Sequence, residues 1–135
     1  MLFMKVDLLK LRIAGIMGFL AVGLGAMGAH ALKKAWDASL SATDAAYRME
    51  IWKTASLYHL VHAVVLLILA YTYSDRNRGK GAFWSFVVGV FLFSGSLYTL
   101  CLTGFTKLGA VTPFGGVLIM LGWLLLMFPG KRDQV

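Results

Sequence analysis

Charged residues are scarce in this 135-residue chain, at 14% of the total against 59% hydrophobic residues. An ordinary soluble domain carries about 25% charged residues, so the composition excludes a soluble globular fold. Cys101 is the single cysteine, which excludes an internal disulfide. Alternation of apolar and polar residues at every second position is also missing, which excludes a transmembrane β-barrel.

Four long apolar runs are what the chain does contain, over residues 13–32, 54–73, 82–103 and 109–128. Each is about 20 residues long, which as a helix matches a hydrocarbon core of about 30 Å. Lipid offers the backbone no hydrogen-bond partner, so these runs predict helices. We therefore predict an all-α membrane protein, a four-transmembrane-helix antiparallel bundle in which residues 1–135 form a single integral membrane domain. No internal repeat supports an inverted-repeat transporter within one chain.

The basic residues predict the orientation. The net charge of +7 is spread around the apolar runs rather than gathered in a patch with interleaved aromatics, so we expect lipid-bilayer contacts and no nucleic acid partner. The side shared by the N-terminus, the turn at 74–81 and the C-terminus carries Lys5, Lys10, Arg12, Arg76, Arg78, Lys80, Lys131 and Arg132. The opposite side carries fewer cations: Lys33, Lys34, Arg48, Lys53 and Lys107. This excess predicts that both termini are cytoplasmic in the inner membrane of a cell.

The first apolar run resembles a signal peptide, because basic residues precede it and Ala29-His30-Ala31 near its end mimics a cleavage site. Its length of about 20 residues exceeds the usual 7–15 of such a segment. We interpret it as a retained anchor.

Residues 33–53 are predicted to form the one long loop. Within it, Ser41-Ala-Thr-Asp44 resembles a helix capping box, and Asp44 and Arg48 are spaced to pair on one helix face. From Asp44 the helix is expected to run into the second span, with Trp52 at the membrane interface. The segment before the span is either a solvated turn or an amphipathic piece lying on the membrane.

Small residues recur on the predicted helices and permit close helix packing in lipid. The predicted packing positions are Gly18, Gly25, Gly28, Gly89, Gly115 and Gly116. They indicate either packing within one chain or the seam of a homo-oligomer.

Polar side chains gather at one end of each run. In an antiparallel bundle, the end of the first run, the start of the second, the end of the third and the start of the fourth lie on the same side. The candidate binding residues at this end are His30, Tyr58, His62, Ser94, Ser96, Tyr98, Thr112 and Pro113. With cytoplasmic termini, they lie in the outer leaflet.

His62 is the central residue of this group, because it lies about two turns inside the second run and needs a polar partner there. It shares a helix face with His59, and we predict a hydrogen bond from Tyr98 across to His62. The group is either a structural hydrogen-bond network, a ligand or proton site, or a metal or haem site.

Carboxylates and arginines are missing from all four runs. A catalytic histidine therefore has no acidic residue to orient it, and an ion-coupled pump lacks its usual ionisable groups. The spacing His59-x-x-His62 also lacks the glutamate and geometry of the H-E-x-x-H zinc motif. We expect no catalytic residue, no metal ligand set and no cofactor, and we predict that the protein is not an enzyme.

Four motifs in order resemble the domain of unknown function 423 family, whose members are small multi-pass bacterial inner-membrane proteins similar to mitochondrial transmembrane protein 256. The motifs are Gly25-Ala-Met-Gly28-Ala-His30, Tyr58-His-Leu-Val-His62, Phe93-Ser-Gly-Ser-Leu-Tyr98 and Thr112-Pro-Phe-Gly-Gly116. The family pattern has phenylalanine at the position of Met27 and often glutamine at that of His59, so the resemblance favours His62 with Tyr58. It implies a four-helix membrane protein and no established activity.

The leading functional expectation is a non-enzymatic accessory or interaction protein of the cytoplasmic membrane. Its polar end would bind a small ligand, a lipid or a helix of a membrane-protein partner. The first alternative is a small transporter or channel that works as a homo-oligomer, and the second is a metal- or haem-handling membrane protein.

Overall fold

The computed structural model of the protein describes residues 6–72 and 79–128. Its helical elements are α1 (Leu8–Met27), a π-helical turn (Gly28–Leu32), α2 (Lys33–Ser39), α3 (Ala42–Thr72), α4 (Lys80–Thr103), a 3-10 turn (Thr106–Ala110) and α5 (Thr112–Met127). The π-helical turn continues α1 into α2, so Leu8–Ser39 forms one rod of 32 residues. Within the described ranges, this rod, α3, α4 and Thr106–Met127 are each long and apolar enough to cross a membrane. The predicted all-α class with four spans is confirmed.

Successive spans pack antiparallel and in chain order. The start of α3 lies against the end of α1, where the indole N–H of Trp52 donates to the Leu24 carbonyl at 2.9 Å. The end of α4 lies against the start of α3, where the Ser94 hydroxyl donates to the Ala55 carbonyl at 2.8 Å. Among the described residues, α1 packs on α3, α3 on α4 and α4 on α5, while no Cα pair within 8 Å joins α1 to α5. The pair α3 and α4 is therefore central, with α1 and α5 on its flanks.

The connection from α4 to α5 is short. Gly104 follows α4 in the left-handed region, at φ 73°, where glycine carries no steric penalty. Its N–H bonds to the Leu100 carbonyl at 2.8 Å and closes the helix end. The predicted tight turn at 104–108 therefore places α4 and α5 as antiparallel neighbours, and Pro113 occupies the first turn of α5 as expected.

One half of the helix assembly is packed mainly by apolar side chains, with the buried Lys10 of α1 beside the Phe83 ring. Leu66 of α3, Phe83, Phe86 and Val90 of α4, and Ile119 of α5 form its centre. Leu66, Phe83 and Phe86 have no solvent exposure. The polar residues thus lie toward the other end, between the later part of α4 and the start of α3.

Trp52 organises that other end. It is 1% exposed, and its ring lies edge-on to Trp36 at 6.0 Å and tilted against Tyr98 at 4.6 Å between centroids. On α1 the indole sits directly against Gly28, where an added Cβ would come within 2.3 Å of two ring atoms. Gly28 is also the first residue of the π-helical turn, so the change in helix geometry coincides with the contact to Trp52. Trp52 is buried among the helices, and its predicted depth at the membrane interface stays a prediction.

The prediction of a long loop over residues 33–53 is wrong for the part before Asp44, whereas the predicted helix from Asp44 into the second span is confirmed. Only Leu40 and Ser41 interrupt the helices there. The charges are accommodated because they lie on the outer faces of helices that extend past the apolar spans. The face with Ala45, Met49 and Trp52 packs inward against Trp36 and Leu100 rather than onto a membrane surface, so neither predicted form of the segment is observed.

The predicted capping box at the start of α3 is present, and the predicted ion pair is not. Ser41 Oγ accepts the Asp44 N–H at 3.1 Å and donates to its carboxylate at 2.7 Å. Arg48 makes no salt bridge with Asp44 in the described part of the chain. Its guanidinium instead donates to the Cys101 carbonyl at 2.8 Å, near the C-terminal end of α4 where a cation is favourable.

The glycines divide into packed and open positions. Gly28 meets Trp52, and Gly89 and Gly115 face each other across α4 and α5 with backbone atoms at under 3 Å from an added Cβ. These three glycines thus lie where neighbouring helices approach closely. Gly18 and Gly25 have nothing within 4 Å of an added Cβ, so they do not pack closely within this chain. The alternative of a homo-oligomer seam stays a prediction for them.

Gly116 lies between these two classes. Its added Cβ would be 3.8 Å from the Phe93 ring, which is ordinary contact rather than close packing. Gly122, seven residues further along α5, does pack closely, because an added Cβ there would lie 2.7 Å from the Phe86 ring.

The residues that carry most of the orientation argument lie outside the described ranges. These are Lys5, Arg76, Arg78, Lys131 and Arg132, together with most of the predicted turn at 74–81. The cytoplasmic location of both termini therefore stays a prediction, and the outer-leaflet location of the polar end depends on it.

Candidate functional site

The helices bring most of the predicted binding residues to one end of the assembly. We call the following set the polar cluster: Tyr58, His59 and His62 of α3, Ser94, Ser96 and Tyr98 of α4, and Thr112 of α5. The buried members are His59, His62, Ser94, Ser96 and Tyr98, whereas Tyr58 is 40% exposed and its ring is tilted against Phe93 at 4.5 Å. The two central helices α3 and α4 thus supply all but one of its members.

His62 is held by two partners. Its Nδ1 lies 2.7 Å from the Tyr58 carbonyl, and because a carbonyl only accepts, Nδ1 carries the proton and donates. Its Nε2 then accepts the indole N–H of Trp123 at 3.2 Å. Both ring nitrogens are therefore used and the imidazole is neutral. The predicted partner, Tyr98, does not contact His62, so that pairing is wrong.

Tyr98 instead turns toward His59. Its hydroxyl donates to Ser56 Oγ at 3.3 Å and lies 3.4 Å from His59 Nδ1. His59 is 6% exposed, and its Nε2 is the one buried side-chain nitrogen or oxygen without a hydrogen-bond partner among the described residues. An unpaired polar atom in an apolar interior costs about 1–3 kcal/mol.

The serines of the cluster are engaged with neighbouring helices. Ser94 donates to the Ala55 carbonyl of α3 at 2.8 Å. Ser96 donates to Phe93 at 2.9 Å within its own helix and is 2.8 Å from the Thr112 hydroxyl, which fixes the start of α5 to the end of α4. Neither hydroxyl is directed at a histidine, so neither is activated as a nucleophile in the way a catalytic serine requires.

Two predicted residues stand apart from the cluster. Pro113 is exposed and belongs to the first turn of α5 next to Thr112. His30 is exposed on the π-helical turn, where it lines a surface concavity with Lys33, Lys34 and Asp37. The structure therefore does not bring His30 to His59 or His62.

Sequence reasoning missed Trp123 and assigned too little weight to His59. Trp123 lies in the part of the fourth run that is otherwise apolar, but its indole N–H is an obligatory donor and His62 is deep enough to meet it. The sequence therefore did contain a signal for Trp123: an indole that can only donate and a histidine acceptor that both lie well inside their spans. Ser56 carried no signal, because small hydroxyl residues in membrane helices commonly serve packing.

The donor geometry does not assemble a metal site. His59 and His62 are three residues apart, yet one points to Tyr98 of α4 and the other to Trp123 of α5. Within the described ranges, no three His, Cys, Asp or Glu side chains come together. What the cluster can do is hold neutral hydrogen-bonding groups in an apolar, aromatic surrounding.

These features define a class: a four-span membrane protein with a neutral polar cluster buried at one end of its helices. Residues 24–116 match the model of the family described as protein of unknown function (DUF423), so the chain belongs to this family. Four helices of spanning length and the family together make it a multi-pass membrane protein.

Curated relatives cover most of the chain. It is 39% identical over 120 residues to the UPF0382 membrane protein YwdK of Bacillus subtilis, which covers 85% of this chain and 89% of the relative. It is 38% identical over 122 residues to the UPF0382 inner membrane protein YgdD of Escherichia coli, covering 88% and 86%. A Staphylococcus aureus membrane protein of the same group is 39% identical over 110 residues, covering 80% and 83%. These relatives agree with a location in the cell membrane, and no solved structure matches the chain.

Proposed function

We propose that this protein is a non-enzymatic accessory protein of the cytoplasmic membrane that acts by binding another molecule at its polar cluster. The observation that carries the proposal is His59 Nε2, which is buried and lacks a partner among the described residues, while the other buried side chains of the cluster are hydrogen bonded. A buried histidine with an unpaired ring nitrogen stabilises the fold less than a leucine would at the same position. A role in binding therefore explains His59 better than a role in folding.

The surroundings of His59 indicate the chemistry of the ligand. Tyr98 and Ser56 are its polar neighbours, and Trp52 packs against Tyr98 on the same side. No carboxylate or guanidinium belongs to the cluster, so a charged ligand would find no counter-charge there. The cluster suits a neutral hydroxyl or amide, offered by a small molecule, a lipid or a partner helix.

Transport has less support. The half of the protein beyond the cluster is packed by apolar side chains such as Leu66, Phe86 and Ile119. A polar path across the membrane would therefore require several copies of the chain, with the path between them.

Native mass spectrometry of protein released from nanodiscs tests the proposal. The wild type, His59→Gln and His59→Leu are compared, because glutamine retains a hydrogen-bonding side chain of similar reach and leucine does not. We expect a bound mass in the wild type and in His59→Gln that is lost in His59→Leu, with all three variants equally helical by circular dichroism.

Two results would contradict the proposal. Either no bound mass in any variant, or the same bound mass in all three, would assign His59 to the structural network alone. A bound mass lost only in His62→Phe, which removes the Trp123 contact, would move the binding position away from His59.

A further inference from the structure

The outward face of α1 and its extension carries a second feature, separate from the polar cluster. A concavity of about 670 Å³ lies where the apolar part of the first rod ends, lined by Ala29, His30, Lys33, Lys34, Asp37 and Ala38. The charged residues begin at Lys33, so the concavity lies at the level where a membrane core gives way to headgroups.

The charge in this concavity is positive. Lys33 is paired with Asp37 at 2.6 Å, which neutralises both. Lys34 and His30 are exposed and make no ion pair within the described residues. One cation unpaired among the described residues, Lys34, and the exposed imidazole of His30 are thus available to an anion.

Toward the start of α1 from the concavity, the same face has little side-chain bulk at its glycines, and we call this stretch the glycine groove. Ala29, which lines the concavity, lies one helical turn after Gly25 on one stripe. Gly25 and Gly18 have open space around an added Cβ, and Val22 between them is 62% exposed. The stretch from Gly18 to Ala29 spans about 16 Å along the helix, which is close to half of a hydrocarbon core of about 30 Å.

We propose that this face is a binding site for an anionic phospholipid. The phosphate lies in the concavity against Lys34 and His30, and one acyl chain lies along the glycine groove between Ala29 and Gly18. The charge fits an anionic headgroup, and the groove has the length of one leaflet, so the two halves of the site match the two halves of one lipid. A free phosphate would use the concavity and leave the groove unexplained.

Lipid titration followed by native mass spectrometry tests this site on the full chain in detergent. Phosphatidylglycerol is the probe, with phosphatidylcholine and inorganic phosphate as separate arms. The variants are Lys34→Gln, which removes the free cation, and Gly25→Leu, which fills the groove. Lys107→Gln is the matched control, because Lys107 is an exposed cation in the 3-10 turn between α4 and α5.

We expect phosphatidylglycerol to bind more tightly than phosphatidylcholine, and Lys34→Gln to weaken it about fivefold, the effect of one cation near a headgroup. Gly25→Leu should weaken phosphatidylglycerol as well, since the chain loses its groove. Lys107→Gln should leave its binding unchanged.

Three results would overturn the proposal. Equal weakening by Lys107→Gln and Lys34→Gln would mean diffuse attraction to the basic end of the protein. Displacement of the lipid by inorganic phosphate at similar concentration would assign the concavity to free phosphate. Unchanged lipid binding in Gly25→Leu would remove the groove from the site. None of these depends on His59, so the site and the polar cluster can fail independently.

Discussion

The crossing of α4 and α5 at Gly115 predicts a large difference between two neighbouring substitutions. A Cβ at Gly115 would lie 2.3 Å from the backbone N of Phe93, 2.7 Å from the Gly89 carbonyl oxygen and 2.8 Å from the Phe93 Cα. The nearest of these is about 1 Å short of ordinary van der Waals separation. Backbone atoms cannot rotate away as a side chain can, so Gly115→Ala must force the two helices apart.

The magnitude follows from that separation. A gap of about 0.5–1 Å forfeits about a quarter to a half of the dispersion energy at each contact, and over-packed cores lose typically 1–3 kcal/mol. We expect Gly115→Ala to lower the free energy of unfolding by about 3 kcal/mol, at the upper end of that range because the obstructing atoms are backbone. At Gly116 the added Cβ meets the Phe93 ring at 3.8 Å, which is ordinary contact. Gly116→Ala should therefore be neutral or stabilising by up to about 1 kcal/mol, the helix-propensity gain of alanine over glycine.

Unfolding in mixed micelles with increasing sodium dodecyl sulfate, followed by far-ultraviolet circular dichroism, measures this difference. Both variants gain the same helix propensity, so the comparison isolates the contact with α4. If Gly115→Ala were within 1 kcal/mol of Gly116→Ala, the close approach of α4 and α5 at this position would be refuted.

Three further substitutions are checked by the same unfolding measurement. Gly28→Ala places a Cβ against the buried Trp52 indole and should lower the free energy of unfolding by about 2 kcal/mol. Gly25→Ala, one turn earlier in open space, should leave it unchanged, and equal effects would contradict the close contact at Gly28. Trp123→Phe removes the donor to His62 Nε2 and should lower the free energy of unfolding by about 1 kcal/mol. If Trp123→Phe caused the same loss in a protein that already carries His62→Phe, the two side chains would not be coupled. Ser94→Ala should cost only about 0.6 kcal/mol, the average for interhelical hydrogen bonds in a bilayer, and a loss above 2 kcal/mol would show that its bond to α3 is worth more than this average.

The elements that sequence reasoning located best are those bounded by strong local signals. The third span, predicted over 82–103, is observed as Lys80–Thr103, because a basic segment precedes it and Gly104 ends it in a left-handed conformation. The start of the second run, the end of the third and the start of the fourth lie together in the polar cluster, because antiparallel order alone determines the depth of each side chain, whereas His30 of the first run stands apart.

The sequence does not determine which side chains at the same depth form hydrogen bonds with each other. His59 and His62 are about 60° apart around α3, so depth and helix face allow either of them to meet Tyr98. Rotation of α3 decides between them, and that rotation is set by Trp52 seated against Gly28 of α1. The contact between Trp52 and Gly28, which are far apart in the sequence, thus determines which histidine faces α4. No local sequence pattern encodes that contact.

The same limit explains the error over residues 33–53. Charged residues beyond an apolar run were interpreted as a loop, since hydropathy reports where lipid ends and not where a helix ends. The helices continue because Trp36, Ala45 and Trp52 give the extension a packed interior of its own.

The packing order of the spans has a consequence for how the protein is made. Within the described residues, each span rests on the span that precedes it in the chain, and α1 has no approach to α5 that must be completed at the end. A ribosome that delivers the spans to the membrane one after another therefore supplies each newcomer with its neighbour already in place. Contacts between sequential segments also form faster than distant ones, so most of the assembly can keep pace with synthesis.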